Sequence, residues 1–116
     1  MKSQTEDRDD RVVLTLEGSL DIQCACELRD VLVQSMQGKP LALALDKVEA
    51  ADVPALQLFC SLHRTLSGVG LALTIVEEVP ASLRQSVAQA GFLREHGCAL
   101  DLYGTCLWSK GGKFHE

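Results

Sequence analysis

The stretch "LALDKVEAADVPALQLFCSLHRTL", Leu43–Leu66, decides how this chain folds. With the two residues before it, "LALALD" (Leu41–Asp46) is apolar on both faces, as a central strand covered on both sides is. Asp52-Val53-Pro54 then breaks the apolar run, and a helical pattern follows. A residue before proline is pushed out of helical geometry, so Pro54 is expected as the first helical residue and Val53 as the N-cap. Valine is a poor N-cap, worse than Ser or Thr by roughly 0.5–2 kcal/mol. The free N–H groups of Ala55 and Leu56 then need another acceptor. Asp52 could supply it, or a carboxylate on a partner, helped by the helix dipole. A plain Pro-initiated helix and a helix start facing a partner both fit these residues.

The helix itself has little polar surface. Leu56, Phe59, Cys60 and His63 form one apolar-leaning stripe at helical spacing, and Ala55, Leu58 and Leu62 form another. Only Gln57, Ser61 and Arg64 make a polar line between them. A helix this apolar is either deeply buried or offers a second face for binding.

Outward from this centre, strands alternate with helices. "RVVLTLEG" (Arg11–Gly18) alternates with period two and places Val12, Leu14 and Leu16 on one face, with Gly18 breaking the pattern. Asp21 can cap a helix running to about Gln37, with Ala25, Leu28, Leu32 and Met36 on its buried stripe. "GKP" (Gly38–Pro40) ends that helix, and "SGVG" (Ser67–Gly70) ends the next. "LALTIV" (Leu71–Val76) reads as another buried strand, and Pro80 as the first residue of a third helix reaching Gly91. The order β-α-β-α-β-α describes a small α/β sheet. After Phe92 the pattern weakens to one short strand around Ala99–Leu102 and a Gly-rich end.

Composition limits the function classes. With 116 residues the chain is one domain, and its 47% apolar and 23% charged residues are ordinary for a globular protein. Eleven basic against sixteen acidic residues give a net charge of −5, so neither nucleic acid nor an anionic membrane surface is an expected partner. No apolar stretch is long enough for membrane insertion. The opening "MKSQTEDRDDR" is charged, not a secretory signal, and residues 1–10 read as a disordered, solvated tail. A cytoplasmic location is therefore expected. The five cysteines, an odd number, then read as free thiols.

These residues carry a resemblance. "LEGSLDIQCACELRDVL" (Leu16–Leu32) is similar to the opening of a STAS domain, the module of anti-sigma factor antagonists, with Gly18, Leu20 and Asp21 matching the family's Gly-x-Leu-Asp. "LALDKVEAADVPALQLF" (Leu43–Phe59) resembles the central block, where a strand leads into Asp-Ser-Ser-Gly-Leu or Asp-Thr-Ala-Gly-Leu. Asp52 matches that Asp and Leu56 that Leu. The resemblance covers about Arg11 to Phe92. It implies a STAS-like mixed sheet with helices packed mainly on one side, a protein-binding role, and no catalytic residues in this chain. Residues 11–92 are then the domain and 93–116 an extension packed on it.

The departures from the family pattern fall at one place. Val53 stands where the antagonists carry a phosphorylatable Ser or Thr, Pro54 where Ser or Ala is frequent, and Ala55 where the Gly stands. Valine has the shape of threonine with a methyl in place of the hydroxyl, so no phosphoryl group can attach. Asp21, Asp52, Val53, Pro54, Ala55, Gln57, Leu58 and Ser61 are the expected partner-binding residues, with Val53 as the phosphoacceptor equivalent.

Enzyme readings find no support in the residues. The sequence has no Gly-rich phosphate loop, H-E-x-x-H or Ser elbow, and His63 reads as packed in its helix. In "HGCALDLYGTC" the residues His96, Cys98, Asp101 and Cys106 match no familiar zinc spacing, so neither a metal nor another cofactor is expected. Cys98, Tyr103, Cys106 and Trp108 are instead expected to pack the extension. Three classes follow: an anti-sigma antagonist-like module docking an anti-sigma or kinase-like regulator, a STAS subunit of a larger bacterial complex such as a phospholipid transport ATPase assembly, and a metal or redox protein using the Cys-rich tail. Homodimer formation stays open.

Overall fold

The computed structural model describes residues 1–90. Two strands, β1 (Lys2–Asp7) and β2 (Val12–Leu20), form a hairpin, and α1 (Ala25–Ser35), β3 (Leu41–Ala51), α2 (Val53–Gly68), β4 (Leu73–Val76) and α3 (Ala81–Gln89) follow. The sheet order is β1-β2-β3-β4, with β1 antiparallel to β2 and the other pairs parallel. It is a mixed four-stranded sheet with three helices, as the resemblance implies.

Topology explains where the site forms. Parallel neighbours need crossover connections, supplied here by α1 between β2 and β3 and by α2 between β3 and β4. Both crossovers step in the same direction across the sheet, so the usual right-handed connection puts both helices on one face. They lie side by side there.

The core follows from strand alternation. Val12, Leu14 and Leu16 of β2 and Leu41, Leu43 and Leu45 of β3 are fully or almost fully buried. They pack in one cluster with Leu28 and Leu32 of α1 and Leu56, Phe59, Leu62 and Leu66 of α2. Val79, Leu83 and Val87, from α3 and the turn before it, join the same cluster. Most of α2's apolar surface is therefore core. His63 is also buried, with Nε2 3.5 Å from the hydroxyl of Ser67 one turn on, a polar contact rather than a reactive pair.

Three expectations need correction. Residues 1–10 are not a free tail, because Lys2–Asp7 pairs with Glu17–Val12. This strand buries no residue, so hydrophobic periodicity could not reveal it. It is held by its backbone ladder and by the Lys39 ammonium, which donates to the Asp7 carboxylate at 2.7 Å and to the Arg8 carbonyl at 2.9 Å. Gly18 does not end β2. Its φ of +91° lets the strand take a register shift and continue to Leu20.

The third correction concerns helix starts. Val53 is already helical and Asp52 is the N-cap, so Pro54 sits one position further in than expected. That position still tolerates proline, since its missing N–H would have had no partner within the helix. Likewise Pro80 is the N-cap of α3 rather than its first residue, and α1 ends at Ser35, before Gln37. The expected extension, with His96, Cys98, Asp101, Tyr103, Cys106 and Trp108, lies outside the described residues.

Candidate functional site

The site is built where β2 and β3 run out of sheet. Leu20 and Ala51 are paired at the ends of these strands, and the next residues are Asp21 and Asp52. The Asp52 N–H donates to the Leu20 carbonyl at 2.9 Å, joining the two exits. Asp21 caps a short 3-10 turn (Ile22–Cys24) by accepting from the Cys24 N–H at 3.2 Å. The structure thus brings these two expected residues together.

Of the two acceptors considered for the first N–H groups of α2, the Asp52 side chain is not the one used. Its side chain makes no capping bond to α2 and instead accepts from the Ile22 N–H at 3.3 Å. The backbone carbonyl of Asp52 takes the Leu56 N–H at 3.2 Å, an ordinary helical bond. The carboxylate therefore ties the start of the 3-10 turn to the start of α2. It also stays near the N-terminal end of α2.

Val53 follows on the surface, 42% exposed, and Ile22 nearby in this exit region is 69% exposed. Water-facing apolar side chains of this size are individually unremarkable, but these sit beside a groove between the two helices. One section of the groove, about 380 Å³, is lined by Pro54, Gln57, Leu58 and Ser61 on α2 and by Ala25, Cys26 and Arg29 on α1. A narrower section, about 110 Å³, continues it past Leu58, Ser61 and Arg29 to Val33 and Met36. Val33 is 54% exposed on α1.

Of the expected binding residues, Pro54, Gln57, Leu58 and Ser61 line one wall of this groove, with Val53 exposed next to them. Ala55 does not belong with them. It is fully buried in the core, so it supports the helix and presents nothing to a partner. The opposite wall was missed from sequence. Ala25, expected on the buried stripe of α1, is only half-buried, and Cys26 and Arg29 carry no motif. A legible signal was Val33, an apolar residue off the expected buried stripe.

Chemically the groove is lined by apolar Ala25, Pro54 and Leu58 together with a few polar groups. Arg29 is the only charged residue among those lining either section. Asp21 and Asp52 are committed to backbone N–H groups beyond its end. Among the described residues no group of three or more His, Cys, Asp or Glu side chains could hold a metal ion, and no helix is long and apolar enough to cross a membrane.

Comparison with known proteins agrees with this architecture. No curated protein matches the chain. Among solved structures, an anti-sigma factor antagonist from Mycobacterium paratuberculosis superposes with a TM-score of 0.64 at 23% identity, covering 78% of this chain and 77% of that one. The anti-sigma factor antagonist SpoIIAA in its unphosphorylated form gives 0.57 at 20% identity, covering 68% and 76%. A chain described as Mglu gives 0.58 at 25% identity over 69% of this chain, which spans only 20% of that longer protein. These likenesses establish a shared fold. The family model described as "Mlab, STAS domain" matches residues 3–102, nearly the whole sequence, and the chain belongs to this STAS domain family.

Proposed function

We propose that this STAS domain is a non-catalytic binding module that docks a protein partner through the α1/α2 groove and the exposed start of α2. The observation that carries the reading is the groove itself. Residues expected to bind from the sequence, Pro54, Gln57, Leu58 and Ser61, form one continuous wall of it. Its apolar lining residues suit an aliphatic side chain, and Arg29 suits a carboxylate on the same partner segment.

The module would not be switched by phosphorylation at the start of α2. Val53 offers no hydroxyl, and it is exposed where the antagonists place Ser or Thr. Control by abundance, or by another residue such as Ser61, remains compatible with the groove. The proposed partner is an anti-sigma or kinase-like regulator, and the proposed setting is the cytoplasm. The match to the model described as Mlab supports a second reading, a subunit of a larger bacterial complex such as a phospholipid transport ATPase assembly.

The test is recovery of partners from the native cell with wild-type protein and with Leu58→Lys. A partner held by wild type and lost by the folded variant supports docking in the groove, and its identity separates the two readings. Equal recovery by both proteins contradicts it.

A further inference from the structure

The outer edge of β1 is the second surface with directional information. All six residues of β1 are exposed, and among the described residues the strand pairs only with β2. Its other edge therefore presents backbone donors and acceptors. Charged side chains often protect such an edge. Here, however, the charges are separated, with Lys2 at one end and Glu6 and Asp7 at the other.

We propose that this edge pairs with the same edge of a second copy, antiparallel, to make one continuous eight-stranded sheet. The charge order selects the register. In a continuous sheet facing residues must point to the same side, so the two-fold axis passes through a residue rather than between two. An axis at Gln4 sets Lys2 opposite the partner's Glu6, twice by symmetry. An axis at Thr5 would set Lys2 opposite the partner's Arg8, two like charges face to face. An axis at Ser3 would leave Glu6 and Asp7 beyond the paired segment.

The Gln4 register also extends a charge row already present. Lys47 Nζ lies 3.4 Å from Glu17 Oε1, and Glu17 faces Lys2 across the β1–β2 ladder. Adding the partner's Glu6 continues the alternation as Lys47, Glu17, Lys2, Glu6, all on one sheet face. Arg8, 3.2 Å from Glu6 in its own chain, flanks that carboxylate. This edge lies outside the α1/α2 groove, so dimer formation and partner docking are independent.

Sedimentation equilibrium of the full chain, with no tag before Met1, tests this across the micromolar range. Wild type should approach twice the 12.6 kDa chain mass. Lys2→Glu or Glu6→Lys replaces two attractive pairs by two repulsive ones and should weaken association by roughly tenfold or more. The double variant Lys2→Glu/Glu6→Lys should recover it. Circular dichroism and thermal melts confirm that the exposed substitutions leave the fold intact. Amide exchange of residues 2–7 should also slow as wild-type concentration rises. A monomeric wild type, which would leave the edge to an extended segment of another protein, overturns the proposal. So does a dimer indifferent to both single reversals.

Discussion

The Asp52 carboxylate accepts a hydrogen bond from the Ile22 amide, 3.3 Å away and 30 residues earlier in the chain. This bond links the exit of β2 to the start of α2, beyond one end of the groove. Removing the acceptor should loosen both. Asp52→Ala is expected to lower stability by about 1 kcal/mol, and Asp52→Asn, which keeps an acceptor oxygen, by less. Chemical denaturation of the two variants provides the measurement. Equal losses would show that the carboxylate acts there through its charge rather than through this bond.

Phe59 anchors α2 in the core and is 1% exposed. Phe59→Ala should destabilise the domain by about 3–5 kcal/mol, through lost burial and the cavity left behind. A loss below about 1 kcal/mol would mean the helix re-seats on the sheet.

Much of this was legible in the sequence, for identifiable reasons. β2, β3 and α2 announce themselves because Val12, Leu14, Leu16, Leu41, Leu43, Leu45 and the stripes of α2 are periodic and buried. β1 was invisible because its residues bury nothing, and its pairing depends on a partner strand beyond the Asp9-Asp10 turn. The α2 wall of the groove could be read from Pro54, Gln57, Leu58 and Ser61, a short pattern on one element. The α1 wall could not. Whether Ala25 or Arg29 faces the groove depends on how two helices are rotated against each other, which packing sets and local sequence does not.

Val53→Asp places a negative charge in the first turn of α2. The helix dipole should stabilise it by about 0.3–1 kcal/mol, so the folded domain should be unchanged or slightly more stable. The same charge crudely mimics a phosphate at this position and should weaken partner capture. In parallel, ATP and a kinase-like partner should leave Asp52–Ala55 unmodified by mass spectrometry. Added phosphate mass on this segment would contradict the loss of the switch.

Docking in the α1/α2 groove is tested most directly by titrating the recovered partner calorimetrically against wild type, Gln57→Lys and Thr15→Lys. Gln57 is exposed on the groove wall, whereas Thr15 lies on the opposite sheet face, in a concavity with Gln4 and Lys47. Neither residue is in the core, and both variants should fold. Gln57→Lys should weaken binding by roughly tenfold or more, about 1.4 kcal/mol, while Thr15→Lys binds like wild type. Full-strength binding by Gln57→Lys, with loss in Thr15→Lys, would place the partner on the other face and contradict the groove as the docking site.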